Sequence, residues 1–176
     1  MAPDPGPGQN PRATIQQRIF VVGPSTCGND QAELARAVGQ GIAARGAALI
    51  CGGGGGIAEA AAAGAKARGG LTVALLPGAG PGAAPAGPSI ELPLYTGLGE
   101  ASAAVAASAS DGLIAIGGGF GTLAQIGLFL RAKKPVILLG SWRFAIDDVK
   151  PHVPRAETAA EAVTLLFDAL AASASG

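Results

Sequence analysis

A chain of 176 residues has the length for one domain with a substantial core and too little for two of ordinary size. Twelve basic and twelve acidic residues cancel, at a pI near 6.6, so no long-range field gathers polyanions and extended nucleic-acid binding is not expected. Hydrophobic residues make up 49% of the chain but aromatics only 4%, so the core must rest on Ala, Val, Ile and Leu.

In chain order, the opening MAPDPGPGQNPRAT holds no apolar stretch, and residues 1–17 read as a disordered tail before a single domain over 18–172. The run RIFVVG from Arg18 is apolar and β-branched and ends in Gly-Pro-Ser, which predicts a buried first strand. A helix follows, with Asn29 or Asp30 as its cap and Leu34, Val38 and Ile42 four apart on one face. Gly46 ends it, AALIC forms a second strand running into the glycines at 52 to 56, and IAEAAAAGAKARGG forms a second helix that stops at Gly69 and Gly70. LTVALLP is a third strand, and Gly78 to Ser89 a mobile Gly/Ala/Pro loop. Then come a short strand in IELPLY, a helix of small residues in GLGEASAAVAASAS, a strand in DGLIAIGGG, a helix in FGTLAQIGLFLRAKK, a strand in PVILLG and a final helix in ETAAEAVTLLFDALAAS. Strands alternating with helices at this spacing predict an α/β fold of Rossmann-like, three-layer form, its mostly parallel sheet covered by helices on both faces.

Cys27 and Cys51 have no paired spacing and one histidine, His152, for company, so neither a disulfide framework nor a protein-ligated metal is expected. No apolar run reaches the roughly 18 residues of a membrane span, and free thiols without a signal segment predict a cytoplasmic protein with no membrane partner.

The 29 glycines concentrate where strands give way to helices. Gly23-Pro24-Ser25, the run containing Gly53, Gly54 and Gly55, and Gly117-Gly118-Gly119-Phe120-Gly121-Thr122 are all expected at the C-terminal edge of one parallel sheet, where open α/β sheets bind ligands. The third turn is the most specific. Glycines let backbone approach an anion, the helix that follows offers unpaired N–H groups and the positive end of its dipole, and Thr122 adds a hydroxyl. No lysine completes a triphosphate-binding loop. Trp142 and Arg143 lie just past the last strand, where they could line the mouth of the site, although surface or interface packing accounts for them more simply.

The stretches CGGGGGIAEAAAAGAKARGGLTVALLPG, YTGLGEA and SDGLIAIGGGFGTLAQIGLFLRAKKPVILLG, taken together over about Arg18 to Leu139, resemble the molybdenum cofactor carrier proteins. These are relatives of the Lonely Guy phosphoribohydrolases, in the Rossmann-like group also labelled possible lysine decarboxylases. The resemblance implies oligomers of two or four subunits and a phosphate-bearing ligand at Gly117, Gly118, Gly119, Gly121 and Thr122, lined further by Gly23, Ser25, Gly53, Gly54, Gly55, Ser102 and Gln125. The related enzymes carry PGGxGTxxE and an arginine on the preceding helix; the corresponding positions here are Gln125 and Ser102.

Cleavage of an N-glycosidic bond passes through a cationic ribosyl species that a carboxylate stabilises. Gln125 brings neither charge nor a usable proton equilibrium, and loss of one acid–base group alone removes about 10²–10⁴-fold in rate. The expectation is therefore a non-catalytic carrier, without catalytic residues, for a molybdenum cofactor-like pterin or a nucleotide monophosphate. The alternative is a phosphoribohydrolase using Glu100 or Glu59, although Glu59 reads more simply as a solvent-facing or dipole-neutralising residue of its helix's first turn. A structural oligomer with a vestigial site is the third possibility.

Overall fold

The computed structural model describes residues 17–144 and 152–174; the expected tail, apart from Gln17, lies outside them. In chain order the elements are β1 (Arg18–Val22), α1 (Asn29–Ala44), β2 (Ala48–Cys51), α2 (Gly56–Ala67), β3 (Thr72–Leu76) and β4 (Leu92–Tyr95). A 3-10 turn (Gly99–Ala101) then leads into α3 (Ser102–Ala109), followed by β5 (Gly112–Ile116), α4 (Phe120–Arg131), β6 (Val136–Leu139), β7 (Arg155–Ala156) and α5 (Ala159–Ala174). The seven strands form one sheet in the order β4-β3-β2-β1-β5-β6-β7, and every adjacent pair is parallel.

The inner strands are apolar without polar alternation because both faces are covered, whereas β4 at the edge leaves Leu92 and Leu94 exposed. Ile19 and Val21 of β1, Leu49 and Cys51 of β2 and Ile114 and Ile116 of β5 point into a core closed by α1, α2 and α5. Phe20, Ile50, Leu113 and Ala115 point the other way, against Ala106 and Ala107 of α3 and Ile126 and Phe129 of α4. With few aromatics, the first core is closed by bringing backbones together: a Cβ on Gly39 of α1 would run into the Ala61 carbonyl, and one on Gly64 of α2 into the Arg36 carbonyl. The alanine-rich helices thus touch backbone to backbone.

Arg18 ties β1 to the start of β5. Its guanidinium donates to both Asp111 carboxylate oxygens at 2.8 and 3.1 Å, and its backbone N–H donates to one of them at 2.7 Å. Burial alone raises the Asp111 carboxyl, but these hydrogen bonds and the nearby Arg18 and Lys134 charges outweigh it and hold the carboxyl below its ordinary value.

Two local expectations are corrected. The cap of α1 is Gly28, without a side-chain cap, while Asn29 and Asp30 already lie in the first turn, where Asp30 complements the helix dipole. A seventh strand, β7, joins the edge beside β6. Two residues are too few to show a period.

Candidate functional site

The chain turns left from β1 to β2, β3 and β4, and right to β5, β6 and β7, so the order reverses between β1 and β5. Ligands of open α/β sheets bind outside the strand ends at such a reversal. The three glycine turns do meet there. A Cβ on Gly23 would strike the Ile116 carbonyl at the end of β5, and one on Gly117 would lie 2.9 Å from Gln31 Nε2 of α1 and 3.3 Å from Pro24. On the other side the Pro24 carbonyl accepts the Ile57 N–H at 3.1 Å, and a Cβ on Gly55 would lie 3.0 Å from the Ser25 carbonyl oxygen.

Steric surroundings sort the glycines into two kinds. Gly23, Gly53 and Gly55 are required by the fold itself: Gly53 and Gly55 have φ of +76° and +37°, and a Cβ on Gly53 would lie 2.5 Å from Leu76 Cδ2. Gly54, Gly119 and Gly121 have none of the described residues within 4 Å of where a Cβ would stand, and none has a positive φ. Gly119 is the cap of α4, with extended backbone (φ −155°, ψ 174°) and no side-chain cap, so the N–H groups of the first turn have no acceptor within the helix. Thr122 faces inward and is 4% exposed.

Gly118 lies under Trp142, which takes the less favoured of its two expected places, at the mouth of the site. A Cβ there would be 2.8 Å from Trp142 Nε1, and Phe120 at the head of α4 has its ring centroid 6.2 Å from that of Trp142. Arg155 of β7 holds the segment by donating to the carbonyls of Ser141 and Trp142. Adjacency of β5 and β6 brings their C-terminal ends together, which is the signal that places Trp142 beside the turn.

Beside the turn opens a cavity of about 570 Å³, lined by Pro77, Glu100, Ser102, Phe120, Gly121 and Gln125 among others. Ser102 at the head of α3 and Gln125 of α4 are thus in one cavity, with Glu100. Gln125 Oε1 is buried without a hydrogen-bond partner among the described residues, as is Trp142 Nε1.

A second cavity of about 520 Å³ is lined by Gly52 to Gly55, Glu59, Leu76, Pro77 and Ala84 to Pro88. Glu59 lies in the first turn of α2, where it complements the helix dipole as expected, but its carboxylate is turned toward the loop and not to solvent. Its Oε1 accepts the Ser89 N–H at 3.2 Å, its Oε2 is buried without a partner, and Gly87 packs so closely that a Cβ would meet that oxygen. Lys66 donates to the Pro88 carbonyl at 2.9 Å and Thr72 Oγ1 to that of Ser89 at 2.7 Å, so the far end of the Gly78–Ser89 loop is tied to α2 and β3. Glu59 and Glu100 line different cavities that share Pro77.

Cys51 is buried, and desolvation pushes its thiol up to about 11, so it stays a protonated, unreactive thiol at neutral pH; Cys27 is partly exposed. His152 is exposed, away from the core. Among the described residues no group of three or more His, Cys, Asp or Glu side chains is arranged to hold a metal ion, and no helix is long and apolar enough to cross a membrane.

A parallel, doubly covered sheet with glycine turns meeting at its reversal defines a Rossmann-like fold. The chain belongs to the SLOG cluster4 family, whose model matches residues 16–168. It is 38% identical over 122 residues to an uncharacterized protein of Archaeoglobus fulgidus, covering 69% of this chain and 79% of that one. It is similar to the molybdenum cofactor binding protein of Rippkaea orientalis, with 31% identity, a TM-score of 0.76, and 86% of this chain and 96% of that one covered. The Moco carrier protein of Chlamydomonas reinhardtii is similar at 34% identity and a TM-score of 0.77, over 89% of this chain and 98% of that one.

Proposed function

We propose that this protein is a non-catalytic binding or carrier protein for a phosphate-bearing small molecule, either a molybdenum cofactor-like pterin or a nucleotide monophosphate. The observation that carries the reading is the opening of α4. Gly119 and Gly121 have open space among the described residues where a Cβ would stand, and neither has a backbone angle that requires glycine. Glycine inside a helix costs about 1 kcal/mol relative to alanine, so Gly121 in the first turn of α4 is a position where packing gains nothing from glycine. An anion close to the backbone N–H groups of Phe120, Gly121 and Thr122 accounts for both glycines, and the positive end of the helix dipole favours it. Gly54 offers the same open backbone on the neighbouring turn.

The cavity beside this turn and the one beside the Gly52 to Gly55 turn have the volume of small-molecule sites. Molybdenum cofactor binding is what the Rippkaea orientalis and Chlamydomonas reinhardtii relatives are described for, and the likeness extends along nearly their whole lengths. Any metal in such a ligand belongs to the cargo and not to the protein. The non-catalytic part of the reading rests on Gln125 and Ser102, which leave the cavity without the glutamate and arginine of the related hydrolases.

The same reading includes a homo-oligomer, a dimer or tetramer. α3 is built of small residues all round, and α4 turns Phe120, Ala124, Gly127 and Leu130 outward, with Gly127 open to close approach. Incubation with AMP, GMP, CMP and UMP, followed by chromatography for free base, tests the absence of hydrolysis. A native mass spectrum of freshly purified protein tests for a retained phosphorylated ligand. Intact nucleotides and a bound mass are the expected results; release of base that vanishes in Glu100→Ala would favour the hydrolase instead.

A further inference from the structure

The cavity next to the α4 turn has an uneven chemistry. Its polar lining is the Glu100 carboxylate, the Ser102 hydroxyl and the Gln125 amide, and no Lys, Arg or His among the described residues lines it. Glu100 can only accept hydrogen bonds when ionised, and the Gln125 carbonyl oxygen is buried without a partner. At the Glu100 end the cavity disfavours phosphate and asks for donors, while Ser102 and Gln125 can each give or accept a hydrogen bond. At its rim the Phe120 ring is 84% exposed, the most exposed large apolar side chain among the described residues, and Trp142 supports it from behind. A bare aromatic face beside hydrogen-bond acceptors fits a flat heterocycle that stacks and donates.

We propose that this cavity is a ring subsite in which Phe120 stacks on the heterocycle and Glu100 reads an edge bearing two adjacent N–H donors, the 2-amino-4-oxopyrimidine edge common to guanine and pterins. The proposal rests on the reading that the ligand's phosphate lies at the α4 turn. A carboxylate receives such an edge through two parallel N–H···O bonds, one to each oxygen. Hypoxanthine keeps the ring N–H but lacks the amino group, so it loses one bond. Adenine sets its amino group beside a ring nitrogen whose lone pair opposes a carboxylate oxygen. Uracil flanks its single N–H with carbonyls, and cytosine has the same conflict as adenine. The subsite therefore ranks guanine above hypoxanthine and hypoxanthine above adenine, and it treats a pterin like guanine.

The test is calorimetric titration of the full chain with GMP, IMP, AMP and ribose 5-phosphate, repeated for Glu100→Gln and Phe120→Ala. Both side chains are exposed, so neither substitution removes core packing. GMP is expected to bind more tightly than AMP by about tenfold or more, the scale of a hydrogen bond to a charged group, with IMP between them. Glu100→Gln should erase that preference and leave ribose 5-phosphate bound at least as tightly, since a negative charge beside the turn is removed. Phe120→Ala should weaken the three nucleotides alike, by about fivefold or more, because stacking is indifferent to the edge of the base. Equal binding of GMP and AMP to the unmodified protein, or a preference that survives in Glu100→Gln, overturns the ring subsite; ribose 5-phosphate still bound in that case leaves the phosphate reading standing. Failure of all four compounds to bind removes both.

Discussion

Replacement of Gly119 by Glu separates a ligand site from a structural bend. The fold has room for the side chain: Gly119 is extended, and none of the described residues lies within 4 Å of where a Cβ would stand. Stability should therefore change by no more than about 0.5 kcal/mol, as for an ordinary surface substitution. The ligand would meet a carboxylate at the cap of the helix that is proposed to hold its phosphate. Two unit charges about 5 Å apart, at an effective dielectric constant of about 20, repel by about 3 kcal/mol, which is more than about a hundredfold in Kd. Calorimetric binding of a phosphate ester, run beside thermal unfolding, reads both effects. A Gly119→Glu protein that melts normally and binds with unchanged affinity would show that the turn is only a bend. Gly118→Ala provides the contrast, because its methyl group would press on the Trp142 indole.

Gly39→Ala should destabilise the fold by about 1–3 kcal/mol or more, because its methyl group meets the Ala61 carbonyl and α1 cannot retreat from α2 without opening the core; an unchanged melting temperature would contradict the backbone contact. The depressed Asp111 carboxyl contributes stability that is fully present above its unfolded-state value of about 3.9 and is lost as pH falls through the lower folded value. Melting curves of the natural protein should thus fall more steeply below about pH 4 than those of Asp111→Asn, and parallel curves would refute the linkage. Sedimentation should find a dimer or tetramer, given the outward apolar face of α3 and α4; a monomer persisting at high concentration would refute it.

The sheet is readable from the sequence because its strands are continuous apolar runs and its helices are bounded by glycine, as at Gly46 and Gly69. The three glycine turns can be placed on one edge for a related reason, since parallel strands share their C-terminal ends. Composition cannot tell glycines that the packing requires, such as Gly23 and Gly53, from those that face open space, such as Gly119 and Gly121; that distinction depends on Ile116, Leu76 and other residues distant in sequence. Glu59 escapes a local reading for the same reason. First-turn position describes its relation to α2, but its partner is the returning Ser89, thirty residues on. Trp142 gives no local sign either, since its place on Gly118 follows from the neighbouring positions of β5 and β6.

If the first turn of α4 holds the phosphate of a ligand that the protein does not cleave, an amide-resolved NMR titration with GMP tests both halves in one sample. Saturable shifts are predicted at the amides of Gly119, Phe120, Gly121 and Thr122 while the nucleotide stays intact. Unmoved amides at those four positions, or guanine accumulating in the tube, would contradict it.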